Sequence, residues 1–259
     1  AALHPLQARH AEQPPPHRVP DRTLHPGGRT QQDLADVAAH HRAAVPGLDR
    51  LIDDLWDGEP PPKALATLQV HVSHLRRALE PERARRTAAT VLVSAAPGYA
   101  LALPTDAVDA WRFEALLDQA QGVADPATRS ELLTRALDCW SGPAYAESAD
   151  ASWAVPEIAR LDGLRLVALE SRADAELALG HAALLVPDLQ RHLHDHPTRE
   201  DAVRLLCLAL YRSGRQAEAL AALRQARAHL ADELGIDPSP ALRQLESALL
   251  SQSPTLAPP

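Results

Sequence analysis

Methionine is absent from this chain of 259 residues, phenylalanine occurs once, and aromatic residues amount to 3%. A core with so few rings has to be made of aliphatic side chains, and Ala and Leu supply most of the 46% hydrophobic content. That composition suits close-packed helices better than sheets. Cysteine is scarce as well. Cys139 and Cys207 lie far apart within helical patterns, which excludes a disulfide-stapled scaffold and reads as two reduced thiols. No apolar run reaches the length of a bilayer span, and no basic-then-apolar leader opens the sequence. The expectation is a soluble, unexported cytoplasmic protein with no membrane partner. Lys63 is the sole lysine, so basic charge rests on arginine. The net charge of -8 excludes a uniformly basic nucleic-acid binder, because phosphate neutralisation needs local positive charge. The question moves from the sum to the distribution.

What is present is a chain long enough for two domains. Between Leu48 and Leu103 the pattern reads as two amphipathic helices and a hairpin. Leu48, Leu51, Ile52, Leu55 and Trp56 recur at steps of three and four, with Asp49, Asp53, Asp54 and Asp57 on the other side as a solvated acidic face. Asp57-Gly58-Glu59-Pro60-Pro61-Pro62 stops that helix, since proline has no backbone N–H to give. The next helix carries an apolar stripe of Leu65, Leu68, Val72, Leu75 and Leu79. Lys63, Thr67, Val70, His74 and Arg77 fall roughly opposite. This outward face has short side chains in the middle and cations at its ends, the mixture that reads base edges and meets phosphates. Any solvent-facing helix carries some such residues; the hairpin decides the reading. Val91 to Val93 and Tyr99 to Leu103 are strand-like, and Ala96-Pro97-Gly98 is turn chemistry. Helix, tight turn, helix and hairpin in that order is a DNA-docking layout. From Lys63 to Arg86 six basic residues, Arg85 among them, face two acidic ones, whereas Asp49 to Glu59 has five acidic residues against Arg50.

From Asp109 onward helical spacings dominate, and two segments align at a fixed offset. Gly180 and Gly214 lie 34 positions apart, pairing Leu185 with Ala219, Leu189 with Leu223 and Pro197 with Ala231. With Leu206 and Ala226 in place, the period resembles the tetratricopeptide repeat. A third helix pair is expected near 150 to 178, and Ala241 to Leu250 reads as a capping helix after the break at Asp237-Pro238-Ser239-Pro240.

The segments "LDRLIDDLW", "ALATLQVHVSHLRRALEP" and "APGYALAL", followed by "DAWRFEALL", "REDAVRLLCLALYRSGRQAEALAAL" and "ELGIDPSPALRQLE", resemble the Streptomyces antibiotic regulatory protein family, SARP, over about residues 45 to 250. The resemblance implies a mainly α fold: an OmpR-type winged helix-turn-helix with a small β-hairpin wing, then a tetratricopeptide-like all-α array that forms a bacterial transcriptional activation domain. It implies a non-enzymatic, sequence-specific activator of a secondary-metabolite cluster. Such a protein binds direct repeats in double-stranded promoter DNA as a homo-oligomer and recruits RNA polymerase. It places Lys63, Thr67, Val70, His74, Arg76 and Arg77 at the DNA, with Gly98 and Tyr99 shaping the wing. The expected domains are an irregular Pro/His-rich segment at 1–29, the winged helix at 30–104, the activation domain at 107–250 and a disordered tail at 251–259.

The sequence departs from the family in two places. Ala95, Ala96 and Ala102 stand where the family often has arginine around the wing tip, which weakens its phosphate contacts. Residues 1–29 do not read as the family's opening strands, and Asp33, Asp36 and His40 replace expected aliphatics. Residues 1 to about 45 are therefore read as an out-of-frame or degenerate start. The rival reading is a repeat scaffold whose DNA-binding half has decayed.

No cofactor, metal site or catalytic constellation is expected. His192, His194 and His196 alternate, and i and i+2 diverge on a helix, so they read as a solvated helix end. No phosphate loop, nucleophile elbow or paired carboxylate stands out, and Trp111, Trp140 and Trp153 read as core residues.

Overall fold

The computed structural model describes residues 31–41, 45–84 and 86–257. Contacts divide the chain into two compact units, Ala1–Val108 and Asp109–Pro259. The irregular segment expected at 1–29 lies outside the described residues, as does Arg85.

The first unit opens with α1 (Gln31–His40). Leu34, Val37 and Ala38 are spaced by three and one, so they share a face, and all are buried. Asp33, Asp36 and His40 stay half-buried around that face. Over 31–40 the segment is thus a helix packed on its neighbours, and the rest of the stretch read as a degenerate start lies mostly outside the described residues. α2 (Leu48–Trp56) buries Leu51 and Leu55 and ends at Asp57 and Gly58, both at positive φ. α3 (Ala64–Leu79) buries Ala64, Leu68, Val72 and Leu75. Leu65, expected in that stripe, is 45% exposed. It sits in the first turn, some 60° around the axis from Leu68, and the buried stripe is centred on Leu68 and Leu75 instead. Two strands follow, β1 (Leu92–Ala95) and β2 (Gly98–Leu101), paired antiparallel with Leu92 opposite Leu101 and Ser94 opposite Tyr99. Leu92 is fully buried, and the hairpin rests on α1, α2 and α3.

The second unit is helical throughout. α4 (Asp109–Gln121) and α5 (Pro126–Leu137) form a hairpin, with Asp125 capping α5 by accepting from the Thr128 N–H at 2.9 Å. They pack with α6 (Ala154–Ala178) around Phe113, Leu116, Leu117, Leu133, Ala136 and Leu161. Of the expected core tryptophans, Trp111 and Trp153 are buried, and Trp140 packs edge-on against Phe113. The pair expected near 150 to 178 is this one 25-residue helix. Nothing between Ala154 and Ala178 breaks it, and its partners come from α5 and from the helices that follow. α7 (Ala182–Asp195), α8 (Glu200–Arg212), α9 (Gln216–Leu234) and α10 (Pro240–Leu250) complete the array around a second core.

The 34-residue period has a structural counterpart. Gly180 and Gly214 both adopt positive φ, 85° and 77°, a conformation glycine takes at little cost. Each turn carries the same two backbone bonds: Gly180 to Leu177 and His181 to Glu176 in the first, Gly214 to Tyr211 and Arg215 to Leu210 in the second. Leu185 and Leu189 are buried like Ala219 and Leu223, whereas Ala231 is exposed because α9 runs on past the point where α7 stops. The tail expected to be disordered is ordered over 251–257. Leu256 is buried in a 3-10 turn at Pro254–Leu256, and the Arg212 guanidinium donates to the carbonyls of Leu256 and Ala257.

Candidate nucleic-acid interface

The candidate site is the outward side of α3 together with the hairpin. Lys63 is exposed at the N-terminal end of α3, and Val70, His74 and Arg77 are exposed along it, Val70 to 51%. Lys63, His74 and Arg77 have no carboxylate partner among the described residues. Thr67 lies on the flank of this face, its hydroxyl donating to the Lys63 carbonyl at 3.2 Å. Gln69 and Ser73 share the exposed side with Val70 and Arg77 and were missed in the sequence. Centring the buried stripe on Leu68 and Leu75, about two turns apart, rather than on Leu65 would have brought both to the outer face. Both carry short hydrogen-bonding groups of the kind that meet base edges.

Arg76 differs from the other cations. Its Nε donates to the Leu92 carbonyl at 2.8 Å and its Nη2 to the Ser94 hydroxyl at 2.9 Å. Its guanidinium also lies 5.4 Å from the centre of the Tyr99 ring. Gly98 and Tyr99 are half-buried. A Cβ on Gly98 would come within 2.2 Å of the Pro46 carbonyl oxygen, so only glycine allows the wing to bridge to Gly47 at the start of α2.

The loop between α3 and β1 is held by Glu80. Its Oε1 accepts from both the N–H and the hydroxyl of Thr90, at 2.8 and 2.6 Å, and those bonds hold its carboxyl below the usual pKa. On the flank of α3 itself, half-buried His71 packs near the Trp56 ring, 6.4 Å between centres. Burial, with His74 beside it, lowers its pKa against the opposing pull of Asp33.

The acidic flank on α2 is less uniform than its spacing suggests. Asp49, Asp53 and Asp57 are exposed, but Asp54 is only 3% exposed. Its carboxylate accepts from His41 Nε2 at 2.7 Å and pairs with Arg50 at 3.0 Å, tying the end of α1 to α2. A buried charge survives there because it is paired on two sides.

A model of the bacterial transcriptional activator domain matches residues 108–250. The regulatory protein DnrI of Streptomyces peucetius is 32% identical over 88% of this chain and 86% of its own length. This chain belongs to the SARP family. The transcriptional regulator RedD of Streptomyces coelicolor is 35% identical over 90% of the chain and 67% of its own length. The regulatory protein AfsR of Streptomyces coelicolor is 39% identical over 91% of the chain, which spans 23% of that longer protein. Among solved structures, Mycobacterium tuberculosis EmbR in complex with a low-affinity phosphopeptide superposes with a TM-score of 0.82 at 33% identity, covering 89% of this chain and 61% of that one. The mainly helical architecture with its small hairpin is therefore that of a SARP-family regulator.

The histidines near the end of α7 do not converge. His192 is turned inward with its Nε2 lying 3.2 Å from Glu170 on α6, His196 meets the His192 ring at a tilt with centres 5.3 Å apart, and of the three only His194 is exposed as expected of a solvated helix end. Among the described residues no three His, Cys, Asp or Glu side chains form a group that could hold a metal ion, and no helix is long and apolar enough to cross a membrane.

Proposed function

We propose that this chain is a sequence-specific transcriptional activator that docks α3 in the major groove of promoter DNA. Lys63, Thr67, Val70, His74 and Arg77 face the duplex, joined by Gln69 and Ser73, and the wing at Gly98 and Tyr99 lies toward the adjacent minor groove. The observation that carries this reading is an outward helical face whose cations have no carboxylate partner among the described residues, set beside a hairpin fixed by the same helix. The resemblance to named transcriptional regulators supports it. By the same resemblance the sites are direct repeats upstream of a secondary-metabolite cluster, occupied by a homo-oligomer in the cytoplasm at the nucleoid. The 108–250 array then holds RNA polymerase at the promoter. The winged unit is assigned to 30–104 and the activation domain to 107–250, with no catalytic role for either.

Hydroxyl-radical footprinting of the full chain on promoters of its own gene neighbourhood tests this. Protection in two segments repeated in the same orientation, together with enhanced transcription by purified polymerase, is the expected result. A folded protein that protects no promoter, while its array still captures a protein partner, would instead favour an interaction scaffold.

A further inference from the structure

We infer that Arg76 is a positioning residue that locks the wing to the recognition helix rather than a DNA ligand. This rests on the DNA-binding reading above for its purpose, but its geometry stands on the free protein. Val91 O accepts from Ala102 N–H at 2.7 Å, which makes that pair a hydrogen-bonded one. Counting along the register, Leu92 opposite Leu101 and Ser94 opposite Tyr99 are then pairs whose backbone groups point away from the ladder. The Leu92 carbonyl is thus an edge acceptor with no strand beside it among the described residues, and Arg76 Nε fills it at 2.8 Å. Side chains in such pairs stand close and on one face. Ser94 and Tyr99 form one such pair, and the Arg76 guanidinium meets both, Ser94 at 2.9 Å and the Tyr99 ring at 5.4 Å from its centre. Leu92, two positions before Ser94, is on the same face and fully buried.

One guanidinium therefore grips both strands of the wing from the last turns of α3. Guanidinium chemistry suits this role: a planar fork reaches two acceptors and a ring face at once, which the single ammonium of lysine cannot do. Arg77, its neighbour, points outward with no partner among the described residues. Adjacent arginines thus divide the labour, with Arg77 on the duplex and Arg76 holding the wing at a fixed distance from the groove that α3 enters. Among the described residues the wing is a two-stranded sheet, which gains stability by packing on helices, and Arg76 adds a polar tie to that packing.

The test is hydrogen exchange across residues 90–102 of the full chain without DNA, paired with salt titrations of DNA binding. Arg76→Lys preserves the charge and is expected to speed exchange in the hairpin about tenfold, as the loss of charge-assisted hydrogen bonds requires. Ser94→Ala removes one prong without touching the helix and is expected to give about threefold. Arg77→Ala leaves hairpin exchange at the wild-type rate. On DNA, Arg76→Lys lowers affinity while keeping the wild-type salt slope, whereas Arg77→Ala reduces the slope by about one. Wild-type exchange in Arg76→Lys, with DNA binding intact, overturns the clamp alone. Faster exchange in that variant, with no duplex bound even by wild type, upholds the clamp and removes the DNA reading.

Discussion

The helical array and the outer side of α3 use their basic side chains differently. In the helical array Arg129 pairs with Asp174, Arg199 with Glu170, Arg204 with Asp174 and Arg227 with Glu246, and each pair joins two elements. Arg212 reaches back to the Leu177 carbonyl at the end of α6. In the winged unit Arg76 is turned inward, and Lys63 and Arg77 on the outer side of α3 have no carboxylate partner among the described residues. Pairing a cation with a carboxylate commits it to the fold; leaving it unpaired on a helix face leaves it for a phosphate. The array commits these arginines to holding helices together; in the winged unit Asp54 and Arg76 serve the fold in the same way, and only the outer side of α3 keeps Lys63 and Arg77 without a carboxylate partner among the described residues.

The largest effect that would sharpen this contrast lies at Glu170, which is 7% exposed on α6. Arg199 grips its carboxylate with Nε at 2.5 Å and Nη2 at 2.6 Å, and His192 adds a third contact at 3.2 Å. Burial pushes this carboxyl up, but the bonds from Arg199 and His192 outweigh it and bring the pKa down to about 2. Because the folded value lies below the ordinary 4.5, the stabilisation is present above pH 4.5 and is lost as pH falls from there toward about 2. Its size is at most about 3 kcal/mol, and Glu170→Gln, which leaves Arg199 unpaired, should cost a similar amount. Chemical denaturation should show that loss in the array and leave the winged unit unmoved.

In the winged unit the most damaging small change is Gly98→Ala. The added methyl meets the Pro46 carbonyl oxygen, a backbone atom that cannot swing away, so the wing has to lift from the start of α2. A cost of about 1 to 3 kcal/mol follows, as for other overpacked sites, and exchange at the hairpin amides, Tyr99 to Leu101, should rise with it.

Acid should separate the units in the other direction. His71 has a folded pKa below the ordinary histidine value of 6.5, so the unfolded chain takes up its proton first, and stability at this site falls as pH drops below about 6.5. Between that point and pH 4.5 the winged unit should soften while Glu170 still holds the array. Exchange mapped unit by unit between pH 7 and pH 5 checks this; equal softening of both units would break the contrast. The smallest expected effect is at Leu65: with 45% of its surface in water, Leu65→Ala should change stability by less than about 0.5 kcal/mol in a thermal melt.

Local signals carried much of this into the sequence. The three-four spacing of Leu51 and Leu55, of Leu68, Val72 and Leu75, and of Leu206 and Leu210 marks helices because burial recurs with the helical period. Gly180 and Gly214 were legible because a turn at positive φ restricts the residue that fills it. What stayed hidden depends on partners distant in the chain. Asp54 looks like its neighbour Asp53 until His41, thirteen residues earlier, closes on it. Arg76 reads as one more cation beside Arg77 until the hairpin folds back sixteen and eighteen residues later. Leu256 looks like part of a Pro-rich tail until Arg212, forty-four residues earlier, fixes its carbonyl. Spacing gives the face a residue occupies; it does not say what arrives there.

The central claim, that the outer side of α3 meets a duplex, is tested most directly by one titration: affinity of the full chain for its own promoter against salt, for wild type and Arg77→Ala. The account predicts a steep loss of affinity with salt, and a slope smaller by about one for the variant, as one phosphate contact is removed. Identical slopes for the two proteins, or binding that does not respond to salt, would contradict it.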